Sequence, residues 1–363
     1  MSRGKVRHMF AGGNTSLGFY SFFHNILPLN DAQRIFIIKG GPGTGKSHFM
    51  EYIAKEMNEK GYDVEYMHCS SDPDSLDGVV LPQIGIALVD GTAPHIVDPK
   101  IPGAVDEIIN LGDYWNDDGI SKHRDKIHAI SEEISMTFAR AYRYLKAAAS
   151  IYEDTSVIFD MAQDTGKINT IANDIEKTLM NGIDVSEKEG KQRNMFASAI
   201  TPDGLKNHLD TVLMNSKVYV LKCEEGRSSE RILNRIKKAA IERGLDVECF
   251  YCALNPTKLE HIIIPELTVS FTTSNFYHNL DADIYMTLDL NEYADKNILE
   301  KYNEVIQYNR KEFDAILQRA VYTLSRAKSL HSELESYYVP NMDFEAVQVC
   351  RNVIIERILN YTQ

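Results

Sequence analysis

Cysteine is scarce in this sequence, with five residues in 363. A set that sparse, and odd in number, argues against a disulfide framework and fits a reducing cytoplasm. Long apolar runs are missing too. None approaches the ~18 residues that a bilayer-spanning helix needs, so no membrane attachment is expected. The opening MSRGKVRHMFAGG is basic but has no apolar stretch behind it, unlike a secretory signal. Positive charge is in short supply: 39 Lys and Arg stand against 52 Asp and Glu, a net charge of −13. That balance argues against broad nucleic-acid or anionic-membrane binding, while leaving room for a local basic groove. What remains is ordinary globular composition, 44% hydrophobic and 25% charged. The length predicts two domains, because single cores stop growing near ~250–300 residues.

The chain repeats itself. GKVRHMFAGGNTSLGF (4–19) matches GKQRNMFASAITPDGL (190–205) at an offset of 186. Arg7, Met9, Phe10 and Ala11 recur there as Arg193, Met195, Phe196 and Ala197. From Arg34 to Asp98 the offset is 183, without a gap, and 15 of 65 positions are identical. Average residue usage would give about 4. Further on, ARAYRYLKAAAS (139–150) resembles QRAVYTLSRAKS (318–329) at an offset of 179. The chain therefore reads as two copies of one unit, 1–185 and 186–363.

Each unit reads as α/β. A buried strand (RIFIIKG; KVYVLK) leads to a helix ending near Gly61 or Gly244, as helix C-termini often do. A second strand (DVEYMHC; DVECFYC) and a third (IGIALVD; LTVSFTT) follow. Strand–helix–strand alternation predicts a mostly parallel sheet covered by helices. Long polar helical extensions are expected near 120–180 and 292–335, with a further helix near 343–360. They are long enough to form lids or to pack the two units together.

In the first unit the loop between strand and helix is GGPGTGKS, which fits G-x-x-x-x-G-K-[ST] from Gly40 to Ser47. Its position after a buried strand and before a helix is the context that this phosphate-binding motif requires. Glycines let successive N–H groups turn inward, and the helix N-terminus adds partial positive charge. The expected contacts to ATP come from Gly40, Gly41, Pro42, Gly43, Thr44, Gly45, Lys46, Ser47 and His48. Lys46 would reach the β- and γ-phosphates, and Ser47 would ligate Mg²⁺. IALVD ends in Asp90, the acid expected near that metal. SSDPDSLD adds Asp72, Asp74 and Asp77 after the second strand, and ligands of parallel sheets bind at such carboxyl ends. Asp90 and Asp72 are therefore expected to join Lys46 as the catalytic set.

The second unit serves as an internal control. Lys46 becomes Ser229, Ser47 becomes Glu230, and Gly41 and Pro42 become Glu224 and Glu225. No lysine offsets these carboxylates, so no nucleotide triphosphate is expected there. Asp72, Asp74 and Asp90 become Asn255, Thr257 and Thr273. Acid and lysine disappear together, as they would if both serve a nucleotide and its metal. Cys69/Cys252 and Pro73/Pro256 persist and read as scaffold. His95/His278 and Asp98/Asp281 persist too, either as a pair that fixes a loop or as a sensor of the γ-phosphate or a second substrate. Cys249 and Cys252 form a C-x-x-C inside a predicted strand with no second pair nearby, which argues against zinc. The tyrosines and methionines of MTFARAYRYL read as packing. An arginine delivered from elsewhere in the chain is a further possibility, with Arg140, Arg143 and Arg227 as candidates.

The series KGGPGTGKS, CSSDPDSLDGVV, DGTAPHIVDP and GAVDEIINLGDYW resembles an uncharacterised bacterial family of tandem P-loop proteins, labelled simply ATPase. The resemblance covers essentially the whole chain and implies a P-loop NTPase fold that binds ATP, with the second site in doubt. The functional expectation is Mg-dependent ATP hydrolysis at the first unit, with the second unit as a regulatory or partner-binding surface. A small-molecule or nucleotide kinase is the alternative, its acceptor held by the 72–77 and 90–98 loops. A nucleotide sensor or scaffold that does not hydrolyse is the third. The sequence leaves the oligomeric state open.

Overall fold

Alternating short apolar segments and amphipathic helices build two sheets of the same design. The computed structural model describes residues 3–214, 216–226, 228–275, 277 and 284–362. The first half contributes β1 (Val6–Met9), the hairpin β2 (Gly12–Thr15) and β3 (Gly18–Ser21), β4 (Arg34–Lys39), α1 (Lys46–Glu59), β5 (Val64–His68), β6 (Leu76–Leu81), β7 (Ile86–Asp90) and β8 (Asp106–Asn110). Helices α2 (Asp117–Ser121), α3 (Arg124–Ala162) and α4 (Thr165–Leu179) follow. The second half repeats the series. It has β9 (Gln192–Met195), β10 (Ser198–Thr201), β11 (Gly204–Asn207), α5 (Leu209–Val212), β12 (Lys217–Lys222), α6 (Ser228–Ile241), β13 (Val247–Tyr251), β14 (Leu259–Ile264), β15 (Val269–Ser274) and β16 (Ile284–Asp289). Then come α7 (Lys296–Lys301), α8 (Asn303–Tyr338) and α9 (Phe344–Asn360).

The first sheet has the order β1-β5-β6-β7-β4-β8, and the second is its counterpart, β9-β13-β14-β15-β12-β16. Within these two sheets every pairing is parallel except those of β6 and β14, which run antiparallel to both neighbours. Each sheet is thus mixed, mostly parallel and helix-covered. The sequence pattern shows three strands per sheet where six are present. The antiparallel strand LDGVVL looks, by sequence, like the tail of an acidic loop. β4 lies between β7 and β8, with Ile38 opposite Asp90, so the strand that ends in Asp90 directly neighbours the one that feeds the glycine-rich loop.

The long helices are where the two halves meet. In α3 the buried positions Ile130, Thr137, Ala141, Leu145 and Ala148 recur at spacings of three, four or seven, and Phe313, Leu317, Ala320, Leu324 and Ala327 do so in α8. This is the apolar seam of paired helices. Arg326 bonds Glu133 and Asn309 bonds Asp154, so the two helices run antiparallel. Each therefore carries the chain across to the other sheet. Val347, Ile354 and Ile358 of α9 complete the core of the first sheet, against Phe49 and Ile53 of α1. Ile168 and Ala172 of α4 complete the core of the second, against Ile232 and Ile236 of α6. Each exchanged helix opens on an aspartate cap, Asp164 for α4 and Asp343 for α9. Of the two roles open to these helices, lids or packing the units together, α3 and α8 take the second, and α4 and α9 go on to finish the core of the other unit's sheet.

The remaining contact between the halves is also symmetric. Phe10 and Phe196 exchange backbone hydrogen bonds. Around them Arg7 binds Glu65 and Glu248, and Arg193 binds the same two carboxylates. No helix among the described residues is long and apolar enough to cross a membrane.

Candidate functional site

Residues 40–45 join β4 to α1 by a turn that only glycine makes without strain. Gly40, Gly43 and Gly45 have φ of 155°, 67° and 84°, in the region that L side chains avoid. A Cβ on Gly40 would lie 2.7 Å from Thr44 Oγ1. Thr44 is buried and donates to the Gly41 carbonyl at 2.9 Å. Lys46, at the first turn of α1, folds back and donates to the carbonyls of Gly40 (3.0 Å) and Gly41 (2.9 Å). Its Nζ lies 3.7 Å from Asp90 Oδ2. Ser47 Oγ accepts from the Leu76 amide at 3.0 Å. His48 is well exposed, with Glu51 at 4.0 Å.

Asp90 is oriented by Thr92, whose amide and hydroxyl both donate to Oδ1 at 2.9 and 2.6 Å. That leaves Oδ2 on the Lys46 side. The acids after β5 are divided by their surroundings. Asp72 is held by Lys328 of α8 at 2.7 Å and by the Ser75 hydroxyl at 2.6 Å. Burial works against its charge, but Lys328 and Ser75 hold its carboxyl below the usual range. Asp74 is exposed, 3.7 Å from Lys328. Asp77 sits at the start of β6 and is buried. Burial pushes its carboxyl up to about 6; Asp90 adds to the push, while His95, a hydrogen bond from the Cys69 thiol and Lys46 oppose it. The structure thus gathers Lys46, Ser47, Asp77 and Asp90 at one end of the sheet and ties Asp72 to α8. Arg140 and Arg143 are exposed on α3. Arg227, His278 and Asp281 lie outside the described residues.

The outer side of the loop is buttressed by the far end of the chain. A Cβ on Gly41 would meet Tyr338 at 3.0 Å and Trp115 at 3.2 Å; one on Gly43 would meet Val339 at 2.8 Å; and one on Gly45 would meet Phe344 at 3.4 Å. The junction of α8 and α9 therefore rests on the loop. In the second unit the end of α3 does the same, with Phe159 and Asp160 beside Gly226.

The second loop corrects one sequence expectation. Its carboxylates are not left uncompensated, because Arg310 of α8 supplies the cation. It bonds both oxygens of Glu225 at 2.6 and 2.7 Å and reaches Glu224 at 3.0 Å. A cleft of about 620 Å³ opens beside them, lined also by Lys222, Asp289 and Asp314. Lys258 is buried nearby, next to Glu260 and Tyr152. Burial opposes its charge, yet those two neighbours hold it above the ordinary lysine range. Sequence reasoning missed Arg310 and Lys328 because both act more than 80 residues from their partners.

By fold and site, the chain is a tandem mixed α/β protein with a glycine-rich loop at the strand–helix junction of its first sheet. A family model described as Nephrocystin 3, N-terminal, matches residues 21–79, from the end of β3 into β6 and across that loop. No curated protein and no solved structure matches the chain at a significant level.

Proposed function

We propose that the chain is a P-loop ATPase that binds Mg-ATP at residues 40–47 and hydrolyses it. The second unit acts as a regulatory or partner-binding counterpart. The observation that carries this reading is the strand–loop–helix itself. It has three glycines of positive φ, Lys46 at the first turn of α1, and Asp90 at the end of the adjacent parallel strand. Backbone amides at a helix N-terminus favour an anion. Ser47 and Asp90 would hold Mg²⁺, since a hydroxyl and a carboxylate are the oxygen donors that this hard cation prefers. The metal would neutralise phosphate charge and hold the phosphates in line. To bind ATP, Lys46 would exchange two carbonyl contacts for charge-assisted ones to phosphate, which are stronger. The scarcity of cysteine favours the cytoplasm as its compartment.

The test is titration calorimetry and phosphate release with Mg-ATP, on the wild type and Lys46→Ala. Losing one charge-assisted contact costs about 1.5–3 kcal/mol, so affinity should fall roughly 10- to 100-fold. Turnover should fall with it, and the stoichiometry should be near one. Two bound nucleotides would overturn the assignment of the second loop. A wild type that binds none would overturn the whole reading.

A further inference from the structure

Beside the glycine-rich loop, Asp77 Oδ2 and both ring nitrogens of His95 are buried without a hydrogen-bond partner among the described residues. Asp77 is 3% exposed and His95 is 8%. Asp77 Oδ1 lies 3.7 Å from His95 Nε2, too far for a direct bond. Buried polar groups are nearly always satisfied, because an orphan has given up its hydration for nothing. Here the rings and strands are well held. His95 stacks on Phe23 with centroids 4.3 Å apart, and Asp77 is fixed at the start of β6. Both side chains are thus set to receive a small polar partner. A water oxygen at hydrogen-bonding distance from Asp77 Oδ2 and one ring nitrogen of His95 would satisfy that oxygen and that nitrogen together.

The position of the pair says which water. Lys46 and Asp90 are both close enough to Asp77 to act on its charge. The Leu76 amide, next to Asp77 in the chain, binds Ser47. The pair thus stands at the end of the loop where the terminal phosphate of a bound nucleotide would lie. The second unit supplies the contrast. There Asp77 is replaced by Glu260, also buried, and the chain provides a buried cation, Lys258, beside it. The unit with the degenerate loop sets a buried lysine beside its acid, whereas in the unit with the intact loop the nearby lysine, Lys46, is bonded to the carbonyls of Gly40 and Gly41.

We propose that Asp77 and His95 are positioning residues that hold the attacking water of ATP hydrolysis. This rests on the ATPase reading above. Asp77 accepts a hydrogen bond from the water, and His95 fixes its second direction. The water oxygen bonds to the γ-phosphorus as the bond to the β–γ bridging oxygen breaks, its electron pair leaving with ADP. One proton of the water stays on its oxygen and the other passes to a phosphate oxygen, giving ADP and dihydrogen phosphate.

The experiment compares the full chain as wild type, Asp77→Asn and His95→Gln, measuring Mg-ATP affinity by calorimetry and kcat and KM by phosphate release. Both variants should keep affinity and KM within about threefold. The kcat should fall by about 100-fold or more for Asp77→Asn and by about tenfold for His95→Gln, because misplacing a reactant costs rate rather than binding. Variants that turn over within about twofold of wild type overturn the proposal, as does a loss of affinity that matches the loss of rate. If Asp77→Asn does not fold, His95→Gln carries the test. A wild type whose turnover depends on Lys46 while the Asp77 and His95 variants are unaffected sinks this inference alone. A wild type that does not bind Mg-ATP sinks it together with the ATPase reading.

Discussion

Asp77 sets a pH dependence that runs against the usual direction for an acid. Its carboxyl is raised from 3.8 to about 6 in the folded chain, first by burial and then by Asp90, with His95, the Cys69 thiol and Lys46 opposing. The folded state therefore binds the proton more tightly than the unfolded one. Its contribution to stability is fully present below the unfolded value and is lost as pH rises through about 6. The loss is on the order of 2–3 kcal/mol, since each tenfold change in proton affinity is worth about 1.4 kcal/mol. Asp77→Asn should remove that slope. In urea melts the variant should gain on wild type as pH is raised from about 4.5 to about 7.5, either side of the raised value, and a constant difference across that range would refute the assignment. The sequence shows Asp77 as one of three acids in SSDPDSLD. What separates it from Asp72 and Asp74 is burial on a strand, and a six-residue antiparallel strand with a glycine in it has too little pattern to announce itself.

The elements were legible where they are local. The glycine-rich loop, the strands that flank it and the helix ends at Gly61 and Gly244 follow from turn chemistry and periodicity. Both of those glycines have positive φ. The destinations of α4 and α9 were not legible. An amphipathic stripe says that a helix must bury one face but does not say against what, and here the partner lies in the other half of the chain. Ile358 shows what depends on it. It is fully buried in the first sheet's core although it belongs to the last helix. Ile358→Ala should destabilise the chain by about 2–5 kcal/mol. Hydrogen exchange should show the loss in α1 and β4 rather than in α6, because α9 covers the first sheet. Protection lost only around α6 would contradict the exchange of helices.

The whole molecule is closed by the cluster of Arg7, Arg193, Glu65 and Glu248. The repeat keeps all four residues because they face one another across the pseudo-two-fold axis, a reason that a sequence match alone does not reveal. Burial works against the Glu65 charge, but Arg193 and Arg7 hold its carboxyl below the usual glutamate range. Its stabilising contribution is present above the unfolded value and is lost as pH falls through the depressed folded one. Arg193→Met would leave the buried Glu65 and the half-buried Glu248 sharing one cation, at a cost of up to about 3–5 kcal/mol. Chemical denaturation of this variant should show that loss at neutral pH and a smaller one in acid, where the stranded carboxylate takes up a proton. Equal losses at both would argue that the cluster acts through packing alone.

The crossing of α3 and α8 sets an order of events in the life of each molecule. The first sheet is complete on the ribosome by Asn110, but α9, which shares the cover of one of its faces with α1, begins only at Phe344. At ~5–20 residues per second, that face waits roughly 10–50 s for the rest of its cover. A nascent chain in that interval leaves the strip of that face beside α1 uncovered, and the tether that keeps α9 close to its own first sheet is what favours closure within one chain over a trade of helices between two.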